Sequence, residues 1–546
     1  MSPRPAATAT TLADIDQLLH RPVSRRRRAI IAVLADGEDE ATRLLARRRR
    51  WSKAQVVTVV AATDDETHRR LAPLKRLDLV VDVRRSDDRR QLETFRRCFF
   101  HLSGGGTWVA LRSPAAVGGD EAMVALAERL RRRETSGEEE QHARGSRRIR
   151  VTPPAVLVGA RPRHLLRVRE DELPLLSERE PALRVTTLAT LDGGSVEVGS
   201  LLHEYGAHPE PQVPDVLVYP PHTVHRYEGR LRLPRSALVY HRRSVLPDSF
   251  RWHLTPRPES PGLRSIDEHF SRLRSHERGE QLDGSYFLFA YGNAGHFGHL
   301  MTEALSKLWG WWPAKEADPS LRILCRIHPT RGDTAEERLE TYLLPRLGIA
   351  PEDITWVDGP VEVQSLVGCT PMWHNAPPFY FHPAIRQTWD RLRVAVLGDH
   401  PAAGPSRLFV TRRVGGRPCA NVDQVEEIFA DNGFTVVSPE RLTIPEQAAL
   451  FSEARVVAGL GGSGMFNLAY SQSVRTVIVL NHWAYQARNE HLFAVAHGAD
   501  LHCFWSRPDA DHPGGGFSYD AHQGSWSFDV AANGPALREL LARLED

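Results

Sequence analysis

Lysine is nearly missing from this chain of 546 residues: there are four, at 53, 75, 307 and 315, and the other 66 basic side chains are arginine. Most of that bias is compositional background, in step with abundant Ala, Gly and Pro. An arginine at a binding site, however, grips phosphate or carboxylate in a bidentate way that lysine does not. An excess of one charge is also lacking. The 70 basic and 68 acidic residues leave a formal charge of +2, which argues against a nucleic-acid partner. Cysteine is sparse: Cys98, Cys325, Cys369, Cys419 and Cys503 are scattered, with no C-x-x-C pair. Neither a disulfide framework nor a zinc ribbon is supported, and a reducing compartment is expected. Long apolar runs are absent as well. The run Ala29 to Ala35 meets Asp36 after seven residues, far short of a bilayer span, and nothing before it has the core of a signal peptide. The expectation is a cytoplasmic protein, free or attached to the inner face of the membrane, with length for about three domains.

Against these absences stands a strong α/β rhythm. Residues 1–24 are small, polar and Pro-containing and read as a disordered tail. Residues 25–130 read as a small N-terminal α/β domain of unknown role. Its strands are expected at Ala29 to Leu34, Gln55 to Ala61, Leu77 to Val83 and Thr107 to Leu111, and its helices around Glu38 to Arg50 and Gln91 to Leu102. The Gly-rich stretch Ser103 to Gly106 precedes a strand rather than a helix, so a plain turn is expected there and not a phosphate cradle. Residues 131–214 read as a charged linker and a β-rich connector. Two further α/β lobes are expected at 215–400 and 401–546, divided at the Pro-rich break His400 to Pro405, with a site between them.

Three constellations carry candidate chemistry. The first is the strand, loop and helix start Asn293-Ala-Gly-His296-Phe-Gly-His299-Leu-Met-Thr-Glu303. His299 and Glu303 are spaced i,i+4 and share a helix face, so they can act as one acid/base unit or simply line the helix. Metal binding by His296, His299 and Glu303 is the other option, but helical metal motifs place two histidines at i,i+4, and no metal is expected. The second is Gly459-Leu-Gly461-Gly462-Ser463-Gly464-Met-Phe-Asn467, which follows a strand and opens a helix, the order that suits an anion. Its glycine spacing is not that of a dinucleotide fingerprint, and a tight turn is the bland alternative. The third is Arg412 and Arg413 at the end of a strand, with Asn421 following, where guanidinium groups can reach a diphosphate. Trp309, Trp311, Trp312, Trp373 and Phe379 can stack on a sugar or fill the core.

Together, GHLMTEALSKLW (298–309), RLFVTRR (407–413) and NVDQVEEIFADNGFTVVSPERLTIPEQAALFSEARVVAGLGGSGMFN (421–467) resemble the ordered motifs of glycosyltransferase family 61, over roughly residues 215–500. The resemblance implies an α/β fold of two Rossmann-like lobes (GT-B type) preceded by the extra N-terminal domain. It implies an inverting glycosyltransferase that moves a sugar from a nucleotide-sugar donor to a glycan or other hydroxyl acceptor in surface or capsular polysaccharide synthesis. No cofactor and no metal are implied. Glu303 falls on the family's acidic base and His299 on its histidine. Arg413, Asn421, Glu446, Gln447, Gly462, Gly464 and Asn467 fall on its second-lobe motifs, and Arg412, Ser463, Asn293 and His296 complete the candidate cleft. Three positions depart from the pattern: Glu303 where Asp is common, Asp423 where Glu is common, and Gly461 where a histidine is common. The departures at 461 and 423 leave open a non-catalytic nucleotide-sugar sensor or assembly partner. The arginine runs 25–28, 47–50 and 131–133 leave open an anionic-surface binder.

Overall fold

The computed structural model describes residues 12–19, 28–38, 54–74, 77–84, 88–112, 121–137, 139–161, 164–206, 213–327, 334–398, 404–514 and 516–544. Its architecture is α/β, with three large sheets. The first is ordered Gln55–Val60, Ile30–Ala35, Leu77–Asp82, Leu102–Leu111, Ala155–Ala160, Ser146–Val151. The first four strands run parallel, and the two central ones, Ile30–Ala35 and Leu77–Asp82, are rich in Val, Ile and Leu and buried nearly throughout, as strands covered on both faces are. The last two are antiparallel additions from residues expected to be linker. That linker also holds the helix Glu139–Gly145, whose Glu139 pairs with Arg96 and Arg129. Local charge density reads as solvated chain, yet here opposite charges from three segments neutralise one another. The stretch expected as a disordered tail is corrected too: Leu12–Leu18 is helical, and Ile15 and Leu19 are buried against Ile31, Val33, Leu79 and Val81. The glycines at 104–106 are not a turn but the start of a strand. Of the helix expected over 38–50, residues 39–50 lie outside the described residues.

The second sheet is long and mixed. Its centre is the strand His222–Leu233, paired antiparallel with Val361–Cys369. Beyond that, Glu280–Leu288, Arg322–Arg326 and Ile354–Val357 continue in parallel. The third sheet is wholly parallel, in the order Leu202–Tyr205, Asp500–Ser506, Thr476–His482, Val456–Leu460, Arg407–Val410, Thr435–Val437. Its first edge strand comes from the connector, nearly 300 residues before its partner. One apolar cluster unites the second and third sheets, with Met301, Leu308 and Trp389 packed in the same core as Met465, Phe466 and Phe493.

Two helical stretches position the site. Phe297–His299 begins a helix that widens to a π-turn over Leu300–Ala304, tightens to a 3-10 helix over Leu305–Gly310 and resumes as Trp311–Ala317. Pro313 does not end it. The helix runs on because proline needs no N–H partner in a first turn, and Pro313 is the third residue of the resumed segment. The strand Val456–Leu460 leads through Gly461 and Gly462 into the 3-10 helix Ser463–Tyr470.

Candidate active site

The two helix starts face each other. Gly298 lies against the Gly-rich loop so closely that a Cβ there would stand 3.0 Å from both Ser463 and Phe466. A cavity of about 620 Å³ opens at this junction, walled by Asn293, His296 and His299 on one side and Arg412, Gly462 and Ser463 on the other. A second cavity of about 360 Å³ is lined by Trp252 and Glu303 and shares Arg251, Asn293 and His299 with the first. His299 therefore belongs to both walls.

Glu303 sits on the π-turn, buried, with its carboxylate oriented from three sides. Oε1 is hydrogen-bonded to His299 Nδ1 and stands 3.0 Å from Arg251 Nε, and Oε2 accepts from the Gly292 amide at 3.2 Å. Burial raises the carboxyl's affinity for a proton, but the Arg251 charge, the His299 hydrogen bond and the Gly292 amide outweigh it and hold its pKa down to about 2. Glu303 is thus a fixed carboxylate, and its grip on Nδ1 leaves Nε2 as the histidine nitrogen available for chemistry. Arg251 lies in a loop that no motif marks. Only the tertiary structure brings it here.

Across the cleft, Gly462 adopts φ +151°, and a Cβ on it would come within 2.6 Å of Arg412 Nη1 and 3.0 Å of Arg417 Nη2. Only glycine admits both guanidinium groups at this spot. Arg412 donates to the carbonyls of Gly461 (2.6 Å) and Arg417 (2.7 Å). Burial, then the neighbouring Arg417, lowers its pKa to about 10, and it remains a cation at neutral pH. Arg417 lies over the Tyr485 ring, 4.2 Å from its centroid. Gly461 is explained by its neighbours: a Cβ there would stand 2.3 Å from Asn481 Nδ2, so the Asn481 amide occupies the space a larger residue would need.

Several sequence candidates lie elsewhere. Arg413 turns outward and pairs with Asp423 (2.6 Å) and Glu426. Asn421 accepts from the Phe528 amide at 2.8 Å and donates to the Phe528 carbonyl at 3.0 Å, tying down the C-terminal segment. Glu446 closes a capping box with Thr443, and Gln447 donates to the Leu442 carbonyl at 3.0 Å. Asn467 is fully buried beneath the loop and donates to the Gly464 carbonyl at 3.0 Å. Trp311 and Trp373 are core. Among the described residues, two groups of side chains spaced for metal ligation, His68, Glu172 and His269 and then Asp65, Glu268 and His269, lie away from the cleft. The His68 and His269 rings are stacked with centroids 3.5 Å apart, so their in-plane lone pairs run side by side rather than converging. Among the described residues no helix is long and apolar enough to cross a membrane.

Comparison with known proteins adds one firm point: residues 297–479 match the model of the family Glycosyltransferase 61. The matched segment runs from the helix that carries His299 to the strand after the Gly-rich loop. No curated protein matches. Among solved structures, the MycE methyltransferase of the mycinamycin biosynthetic pathway is 16% identical over 25% of this chain, with a TM-score of 0.20. The chain spans 46% of that protein's length. A Haemonchus contortus phosphoethanolamine N-methyltransferase 2 is 10% identical over 78% of this chain and 84% of its own, with a TM-score of 0.17. Scores this low establish no common fold.

Proposed function

We propose that this chain is an inverting glycosyltransferase of GT-B type that transfers a sugar from a nucleotide-sugar to a hydroxyl of a glycan acceptor. The observation that carries the reading is the place of His299, on a family 61 segment, between two adjoining cavities. The larger cavity has cations and backbone amides for a leaving diphosphate. The smaller one brings an acceptor to the other side of the same imidazole. Inversion needs one group to take the acceptor proton as the hydroxyl attacks and another to stabilise the departing diphosphate. Nε2 of His299 takes the proton, and the ionised Glu303 on Nδ1 orients the ring and stabilises the imidazolium. This assigns the base to the histidine of the pair rather than to Glu303, because a carboxylate with a pKa near 2 holds a proton poorly at neutral pH. Arg412 and Arg417 with the Ser463 amide receive the negative charge of the leaving group, and no resident metal or cofactor enters the reaction. Surface or capsular polysaccharide synthesis in the cytoplasm, with no nucleic-acid partner, is the setting we assign to it.

The test is turnover. The purified chain is offered a panel of nucleotide-sugars and glycan acceptors, with product configuration followed by NMR and chelator present throughout. Transfer with inversion is expected, together with a loss of roughly 100-fold or more in kcat for His299→Ala and Glu303→Gln. Undiminished transfer by His299→Ala would overturn the assignment of the base. Binding of donors without turnover of any would leave a sensor in place of an enzyme.

A further inference from the structure

Three of the few large apolar side chains left exposed among the described residues gather at one place. Phe517 is 61% exposed, Tyr519 69% and Val414 65%, and all three line the larger cavity opposite His299. Exposing a Phe and a Tyr side by side costs hydrophobic free energy that a solitary loop tip would not retain without use. Their loop is also firmly held. Asp511 accepts from Trp483 Nε1 at 3.1 Å, His512 bonds to the Ala484 carbonyl at 2.9 Å and to the Ser518 amide at 3.1 Å, and the Gln523 carbonyl accepts from the Arg417 amide at 2.9 Å. From Phe517 the rings continue inward to His522 at 5.3 Å and Tyr485 at 5.1 Å, ending under the Arg417 guanidinium. Burial keeps His522 neutral, with a pKa near 4, so this path presents uncharged faces that lead to a pair of cations.

An apolar platform that ends in arginines and a helix-start amide cluster matches a ligand with a flat aromatic head and a diphosphate tail. We propose that Phe517 and Tyr519 form the nucleoside clamp of the donor, stacking on its base while Arg412 and Arg417 hold the diphosphate. The proposal rests on the donor-cleft reading above. It places the base on residues beyond the segment matched by the family model, which ends at 479, and so makes donor choice a property of this chain's C-terminal loop. Val414, on the facing loop, closes the other side of the stack.

Phe517→Ala/Tyr519→Ala tests it, since both side chains are exposed and their removal should not unfold the protein. Binding of UDP, GDP, CDP, ADP and, as a base-free probe, inorganic pyrophosphate is measured by calorimetry for the parent and the double variant. The parent should bind at least one nucleoside diphosphate, and the double variant should bind it roughly 5- to 150-fold more weakly, the range expected for loss of base stacking. Its affinity for pyrophosphate should be unchanged. Equal nucleotide affinity in parent and variant overturns the clamp and leaves the donor cleft standing. Parallel loss of pyrophosphate binding also overturns it, since the defect would then be general. A parent that binds none of the nucleoside diphosphates overturns the clamp and the donor reading together.

Discussion

At the scale of single residues, Glu303 shows how a tertiary neighbourhood changes what a sequence position means. In the sequence it is an acid four residues after a histidine, suited to be a base. In the folded chain the Arg251 guanidinium, contributed from a loop about 50 residues earlier, helps hold it ionised at neutral pH, with its pKa down to about 2. A carboxyl whose folded pKa lies below its ordinary value near 4.5 stabilises the native state above that value, and the contribution is lost as pH falls through about 2. The shift corresponds to on the order of 3 kcal/mol. The stability difference between the parent and Glu303→Gln should therefore shrink by about that amount as pH falls from about 4.5 to about 2. Urea unfolding at a series of pH values measures it, and a constant difference would mean that the carboxylate is not held by these partners. Arg413 makes the converse point. It stands beside Arg412 in a motif, but past the strand end at Val410 the two side chains part: Arg412 is held by the Gly461 and Arg417 carbonyls, and Asp423 and Glu426 occupy Arg413.

At the scale of elements, the expected order of strand, Gly-rich loop and helix over 456–470 is present. The helix Ile444–Glu453 is set by local signals: Thr443 and Glu446 form a capping box and Pro445 suits a first turn. The same box removes Glu446 from the list of donor contacts. Glu446→Ala should lower stability by about 0.5–2 kcal/mol while leaving nucleotide affinity where it was. Thermal denaturation and calorimetry on one variant check both halves, and a loss of affinity without loss of stability would return Glu446 to the site. Elements without such local signals are not legible in the sequence. The strand Ser146–Val151 is short, arginine-rich and mostly half-exposed, and it is a strand only because Ala155–Ala160 offers it an edge.

At the scale of the whole molecule, distant segments complete the sheets. Leu202–Tyr205 adds the outermost strand to the parallel sheet that carries the Gly-rich loop, pairing with Asp500–Ser506. Glu204 fastens it by accepting from Trp505 Nε1 at 2.7 Å and bonding His491 at 3.2 Å. Glu204→Ala removes that acceptor from both donors and should cost about 1–3 kcal/mol, seen as a lower urea midpoint. An unchanged midpoint would mean that the connector is only loosely attached to this sheet.

The sequence by itself determined the alternation of strands and helices, the Gly-rich loop after its strand, the i,i+4 spacing of His299 and Glu303, and the resemblance to glycosyltransferase family 61. Each is a local pattern, set by periodicity, turn chemistry or spacing within about ten residues. Only the tertiary structure decided that Arg251 holds Glu303, that Arg417 rather than Arg413 faces Gly462, and that Phe517 and Tyr519 border the cleft. These are contacts between segments far apart in the chain, governed by packing and desolvation across the fold, and no local pattern in the chain encodes which partners will meet.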